Sequence, residues 1–205
     1  MTHKTLALAA VAAVALSACA TYTPPTEQET MAVIKSSFKD RGIAKVDRLN
    51  QTDLQKLCTA TGNNPPKDVR ERLEKAARAT VRYPAYGKWL GDFKQGERIA
   101  QTGVGMQWSD GPNTVNGGNC YACHALDPKE VAAGNLGPSL TGYGALRGSG
   151  EEIVKYTYDK LYNTQATVAC SNMPRVGHNG ILTPEQVADV TAYLVSPESS
   201  LNQKK

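Results

Sequence analysis

The stretch Cys120-Tyr121-Ala122-Cys123-His124 decides the fold of this chain. Two cysteines separated by two residues and followed at once by histidine form the attachment pattern of a c-type haem. The motif predicts thioether bonds from Cys120 and Cys123 to the haem, and it places His124 as an axial ligand of the iron. The chain is therefore predicted to hold one covalent haem c at the centre of its apolar core.

Two other uses of a CxxC pair are less consistent with this chain. A structural zinc site would need two further Cys or His ligands at ligand spacing. A thioredoxin-like redox pair does not require the histidine that follows. The remaining candidate zinc ligands are scattered along the sequence: His3, Cys19, Cys58, Cys170 and His178.

The N-terminus predicts export from the cytoplasm. Lys4 precedes an Ala/Val/Leu-rich run over residues 6–16, which has signal-peptide length and is too short to span a bilayer as a stable helix. A signal peptide is predicted over residues 1–18. The mature protein is therefore expected in the periplasm.

The end of this signal admits two cleavage patterns. Leu16-Ser17-Ala18-Cys19 matches a bacterial lipobox, which would place lipid on Cys19. Ala18-Cys19-Ala20 matches the small-x-small pattern of an ordinary signal peptidase, which would remove Cys19 with the peptide. The lipobox is the favoured interpretation because every position of it is matched.

Length and charge limit the architecture and the partners. The chain has 205 residues and a formal net charge of +4, with charges of both signs mixed along it. This balance is too weak to indicate a nucleic-acid partner. The predicted organisation is an N-terminal extension over residues 20–86, a haem domain over residues 87–198 and a polar tail over residues 199–205.

The cysteine count leaves one pair for a disulfide. Of the five cysteines, two are assigned to haem and Cys19 to the lipid or to the cleaved peptide. Cys58 and Cys170 remain, and an oxidising compartment favours a bond between them. In the chain-entropy model, this long loop would contribute about 3–5 kcal/mol. The alternative is two buried free thiols.

Periodicity and capping motifs predict an all-α chain without strands. Helices are expected at residues 29–39, 53–58, 67–82, 91–100, 151–163 and 184–194, and loops at residues 111–119 and 134–144. Helices, long turns and a single CxxCH motif resemble a class I cytochrome c domain. That resemblance implies that Gly96 meets the 192–193 region where two helices cross. It also implies that the Pro138 region packs beside His124, with a backbone carbonyl accepting the Nδ1–H of the ligand.

Met173 is the best candidate for the second axial ligand. A His/Met pair suits electron transfer because thioether ligation raises the reduction potential. Met31 lies in the extension and Met106 precedes the haem motif, whereas Met173 follows it in a non-helical stretch. His178 is the rival ligand. Filling both axial positions with protein atoms argues against oxygen or peroxide chemistry at the iron.

Several segments between residues 67 and 197 resemble the SoxX family, the monohaem c-type cytochromes of bacterial sulfur oxidation. They are Lys75-Ala76-Ala77-Arg78-Ala79-Thr80, Tyr83-Pro84, Gly91-Asp92, Lys94-Gln95-Gly96-Glu97, Gly118-Asn119-Cys120, Asn172-Met173-Pro174-Arg175-Val176-Gly177, Leu182-Thr183 and Gln186-Val187-Ala188-Asp189-Val190. Cys58, Cys170 and the long N-terminal segment depart from that family's pattern.

The resemblance implies a role in electron transfer. The chain would pair with a SoxA-like haem subunit and accept electrons as thiosulfate is joined oxidatively to a cysteine of a SoxYZ-like carrier protein. It would pass them to a downstream cytochrome c. It would thus be the haem subunit of an L-cysteine S-thiosulfotransferase whose reacting cysteine lies in the partner, so no catalytic residue is assigned here. The alternatives are a stand-alone monohaem carrier and a thiol enzyme using Cys58 or Cys170.

Overall fold

A computed structural model describes residues 23–203. The predicted signal peptide and Cys19 lie outside the described residues. Contacts divide the chain into two compact units, Met1–Asp40 and Arg41–Lys205. The described part of the first unit contains helix α1, Glu27–Ser37, which begins at a capping box formed by Thr26 and Glu29 and has no buried residue.

In the second unit, the regular secondary structure of the described residues consists of helices joined by turns and loops. Its α-helices are α2 (Asp53–Ala60), α3 (Lys67–Arg78), α4 (Phe93–Gln101), α5 (Tyr143–Arg147), α6 (Glu151–Tyr162) and α7 (Pro184–Val195). Short 3-10 helices lie at Val46–Leu49, Cys120–Ala122 and Thr164–Ala166. Within residues 23–203 the only β-type pairing is an isolated bridge between Arg41 and Ala44, which confirms the all-α class.

The predicted capping boxes start α2 and α7. The Thr52 hydroxyl oxygen accepts a hydrogen bond from the backbone N–H of Gln55, whose side chain in turn accepts one from the N–H of Thr52. Thr183 and Gln186 form the same reciprocal pair, and Pro184 occupies the first turn of α7. Each box satisfies backbone N–H groups that have no partner inside the helix.

The sequence-based limits differ most from the structure at two elements. Helix α3 ends at Arg78 rather than at residue 82, because the Thr80 hydroxyl donates to the Ala77 carbonyl at 2.7 Å and the Asn163 amide donates to Thr80 at 2.9 Å. The stretch predicted as loop up to residue 144 runs into helix α5. Its start is stabilised from a distance, since the Ala145 N–H donates to the side chain of Asn202.

The crossing of α4 and α7 depends on a glycine. Gly96 is buried, and a Cβ atom there would overlap the backbone of Asp189 and lie 2.9 Å from the Cβ of Tyr193. Glycine costs about 1 kcal/mol relative to alanine inside a helix, and this cost is offset by the close approach of the two backbones. The predicted contact is confirmed and centres on Asp189 and Tyr193.

The core lies between α6, α7 and the segment that follows the haem motif. Its largest fully buried side chains include Tyr158, Tyr193, Leu126 and Val187. Cys120 and Met173, which lie far apart in the sequence, both pack against this one cluster. No helix within residues 23–203 is long and apolar enough to cross a membrane.

Candidate haem site

The CxxCH motif forms a tight 3-10 turn. Asn119 adopts a left-handed backbone conformation (φ 47°), after which the N–H groups of Cys123 and His124 both donate to the Cys120 carbonyl, at 3.1 and 2.9 Å. The two residues that precede the motif are hydrogen-bonded to the C-terminal end of α4. The N–H of Gly118 donates to the Ile99 carbonyl, and the N–H of Asn119 donates to the Thr102 carbonyl. The motif is therefore anchored to the helix that crosses α7.

A strap formed by residues 134–140 lies against the motif. The N–H of Gly134 donates to Tyr121, that of Gly137 to Cys123, and that of Leu140 to Ala125, all at 2.7 or 2.8 Å. Tyr121 and Cys123 of the motif, and Ala125 directly after it, thus each accept a hydrogen bond from the strap. This pairing determines where the strap lies relative to the His124 ring.

His124 is oriented by a backbone carbonyl. Its Nδ1 lies 2.7 Å from the oxygen of Pro138. A carbonyl can only accept, so Nδ1 carries the proton and Nε2 keeps its lone pair free for a metal. This bond fixes both the tautomer and the orientation of the ligand, as in many metal sites. It is the contact that the class I resemblance implied.

Gly137 makes room for the imidazole. A Cβ atom at this position would overlap the His124 ring. Glycine is therefore required here by close packing beneath the ligand rather than by an unusual backbone angle. The sequence alone placed Gly137 in an ordinary loop.

Cys120 and Cys123 are the free cysteines of the described chain. Burial raises the pKa of the Cys120 thiol to about 11. A thiol with a raised pKa is a poor nucleophile near neutral pH, because the thiolate is the reactive form. Burial therefore disfavours Cys120 as a reactive thiolate.

A tethered loop presents Met173. The Thr164 hydroxyl donates to Ser171 at 2.9 Å, and the Ser171 hydroxyl accepts the Met173 N–H at 3.2 Å. The N–H groups of Gly177 and His178 both donate to the Tyr162 carbonyl at the end of α6. The loop is therefore held to α6 and its C-terminal turn on either side of the half-buried Met173.

The predicted disulfide is present between Cys58 and Cys170. It joins α2 to the segment that enters the Met173 loop, across a sequence separation of 112 residues. Loop closure on this scale is worth about 4–5 kcal/mol in the chain-entropy model. The bond therefore adds a covalent tether three residues before Met173.

His178 has a different environment from Met173. It is exposed, and its Nδ1 lies 3.2 Å from the hydroxyl of Thr80. Burial and, to a lesser extent, the charge of Arg175 lower its pKa, so the imidazole is neutral at pH 7. Its contact is with the segment after α3, whereas Met173 packs on the cluster that also holds Cys120.

The described residues do not supply an alternative metal centre. Between residues 23 and 203 no group of three or more His, Cys, Asp or Glu side chains is arranged to hold a metal ion. The zinc interpretation of the CxxC pair would need such a group.

Comparison with known proteins identifies the domain. Residues 109–197 match the cytochrome c family. Over 194 residues the chain is 36% identical to a protein of Aquifex aeolicus (strain VF5) that is named an uncharacterized lipoprotein, and the match spans 91% of this chain and 92% of that relative.

Residues 109–197 therefore form a cytochrome c domain.

The residues present fit the haem c that this family binds covalently. Two thiols flank a buried Tyr121, and His124 has a free Nε2. The Met173 thioether packs on the same cluster as Cys120. When bound, haem supplies a one-electron Fe(III)/Fe(II) couple. Cys120 and Cys123 would attach the macrocycle, and His124, oriented by Pro138, would bind its iron.

Sequence reasoning missed a second support of the cytochrome motif. The hydroxyl of Tyr121 lies 3.2 Å from that of Tyr193 on α7 and accepts the N–H of Asp127 at 3.3 Å. Nothing in the local pattern distinguishes Tyr121 from an arbitrary residue between two cysteines. Only the packing of α7 against the motif reveals its role.

Replacing Gly137 tests the arrangement of His124. We expect Gly137→Ala to displace the imidazole, because the added methyl group would occupy the volume of the ring. In the purified holoprotein the altered ligation should appear as a changed ferric absorption spectrum and a shifted reduction potential. Gly111→Ala is the matched control, since a Cβ atom there meets nothing within 4 Å. Identical spectra and potentials for the two variants would contradict the assigned packing.

Proposed function

We propose that this cytochrome is a monohaem electron-transfer subunit of the SoxX type, with its iron held by His124 and Met173. Two observations support the electron-transfer part: the imidazole of His124 is oriented with Nε2 free, and the Met173 thioether lies on a tethered loop that packs on the cluster of Cys120. Such a closed, six-coordinate iron exchanges electrons without binding substrate, and His/Met ligation raises its potential.

Met173 is proposed as the second ligand because of how its loop is held. Residues 170–178 are restricted by the disulfide at Cys170 and by backbone hydrogen bonds to Tyr162. A side-chain hydrogen bond from Arg175 to Gln165 restricts them further. A ligand on a restricted loop loses little conformational entropy when it binds. His178, in contrast, is exposed and contacts Thr80.

The SoxX assignment rests on the sequence resemblance described above. Several of the resembling segments also make hydrogen bonds to other parts of the fold. The Gly91 N–H donates to the Ala188 carbonyl at 3.1 Å, and the Asp92 N–H donates to the Asp189 carboxylate at 2.8 Å. Arg175, from the Met-Pro-Arg stretch, restricts the ligand loop. We therefore propose that the chain accepts electrons from a SoxA-like haem subunit that joins thiosulfate to a SoxYZ-like carrier, and passes them to a downstream cytochrome c.

A stand-alone monohaem carrier is the second candidate, because the same haem site would serve it. It differs in having no stable haem-protein partner. The third interpretation, a thiol enzyme, loses support because Cys58 and Cys170 are bonded to each other. Neither sulfur is then available as a thiolate nucleophile.

We also propose that Cys19 carries a lipid that tethers the protein outside the cytoplasm. The lipobox Leu16-Ser17-Ala18-Cys19 supports this, as does the name of the relative from Aquifex aeolicus. Intact-mass measurement of membrane-extracted protein should show cleavage before Cys19 and the added mass of a diacylglyceryl group. In a Cys19→Ala variant this mass should be lost. A mature N-terminus at Thr21 in the native protein would contradict the lipid anchor.

Removing the Met173 thioether tests the ligand assignment. We expect Met173→Ala to retain covalent haem but to lose the charge-transfer absorption of Met–Fe(III) and to lower the reduction potential, because thioether ligation favours Fe(II). Met106→Ala is the matched control, since it removes an exposed methionine. If the wild type lacked the band, or if the band survived in Met173→Ala and disappeared in Met106→Ala, the assignment would be wrong.

Purification from the native host distinguishes the two electron-transfer roles. From cells grown on thiosulfate, a tagged chain should bring down a second c-type cytochrome in a stable complex. The isolated complex should reduce its haem when given thiosulfate and the carrier protein. If the chain purified alone and its haem accepted electrons only from general redox partners, the stand-alone carrier would be favoured. That result would contradict the SoxX assignment.

A further inference from the structure

A polar cleft lies beside the proposed axial ligand. It has a volume of about 340 Å³ and is bounded by α2, by the Cys58–Cys170 disulfide and by the Met173 loop. This volume is in the range of small-molecule sites, which begins at about 300 Å³. Its lining includes Gln55, Thr59, Gln165, Ser171, Met173 and Arg175.

The cleft has the electrostatics of an anion site. Arg175 is the only formally charged side chain in the lining, and the other polar side chains there are amides and hydroxyls. No carboxylate between residues 23 and 203 forms an ion pair with Arg175. One nitrogen of the guanidinium donates to Gln165 at 3.2 Å, and the group carries further N–H donors.

The neighbouring titratable groups leave this charge uncompensated. His178 has a lowered pKa and is neutral at pH 7. Glu74 of α3 is not in the lining, and its carboxylate accepts the N–H of Ala169. A half-buried guanidinium without a counter-ion has lost part of its hydration. Its attraction for a bound anion is therefore stronger than the same attraction in bulk water.

We infer that the cleft binds a small dianionic oxyanion of the sulfate or thiosulfate type through Arg175, and that binding is coupled to the oxidation state of the haem. A guanidinium presents paired N–H groups that match two oxygens of such an anion. The surrounding amides and hydroxyls offer further donors to the remaining oxygens. The volume leaves space for water around the anion.

The coupling follows from charge and rests on the proposed ligation by Met173. The oxidised site carries one more positive charge than the reduced site, and Met173 belongs both to the ligand loop and to the cleft wall. A bound anion therefore stabilises the oxidised form more than the reduced form. By linkage, the same factor makes the oxidised protein bind the anion more tightly.

The test uses the full-length holoprotein and sulfate, which is redox-inert. Sulfate is titrated into the ferric and ferrous forms by calorimetry, with chloride at matched ionic strength as the reference. The ferric form should bind sulfate at least about fivefold more tightly than the ferrous form does. A factor of about five is the lower end of ordinary coupling factors. The reduction potential should fall as sulfate rises and should remain unchanged with chloride.

Variants separate the site from surface charge. Arg175→Gln should weaken sulfate binding about tenfold or more, since hydrogen bonds between charged groups are lost. Arg175→Lys should retain part of the binding. Arg72→Gln, which removes the same charge from an exposed position of α3, should bind sulfate as the wild type does. Thiosulfate should compete with sulfate for the same site.

The outcomes distinguish failure of the anion site from failure of the proposed ligation by Met173. If the wild-type protein shows the Met–Fe(III) band but sulfate and chloride act alike on its potential, the anion site is refuted and the proposed function stands. Equal sulfate affinity in Arg175→Gln and Arg72→Gln would also refute it. If the wild type lacks the band, the ligation itself has failed. The wild-type comparison does not depend on whether Arg175→Gln folds.

Discussion

The hydrogen bond between Nδ1 of His124 and the carbonyl of Pro138 is the interaction on which the site depends. It places the proton on Nδ1 and leaves Nε2 free. The bond exists because the strap of residues 134–140 pairs with the CxxCH turn through three backbone hydrogen bonds and because Gly137 leaves space for the ring. Covalent attachment alone would hold a haem without fixing the direction of its ligand.

The helices that pack against the CxxCH turn also hold it in position. The turn is anchored to α4, which crosses α7 at Gly96, and α7 supplies Tyr193 to the hydroxyl of Tyr121. On the other side of the core, the disulfide and α6 hold the loop of Met173. The site is thus assembled from two separately anchored segments that meet on one apolar cluster.

The sequence predicted what local chemistry determines. The CxxCH motif is sufficient to assign Cys120, Cys123 and His124, and the capping boxes at Thr52 and Thr183 locate the starts of two helices. Cysteine counting was sufficient for the Cys58–Cys170 pair. The end of α3, the short helix α5 and the role of Gly137 could not be predicted, because each depends on a partner far away in the sequence. The cleft around Arg175 belongs to this second class, since α2 and the ligand loop are brought together only by the fold.

We propose above all that the chain holds its iron between the imidazole of His124 and the thioether of Met173. X-ray absorption spectroscopy of the iron in the purified ferric holoprotein measures this most directly. The account predicts one sulfur scatterer at bonding distance in addition to the nitrogens of the macrocycle and the imidazole. An iron with nitrogen or oxygen neighbours alone would contradict it.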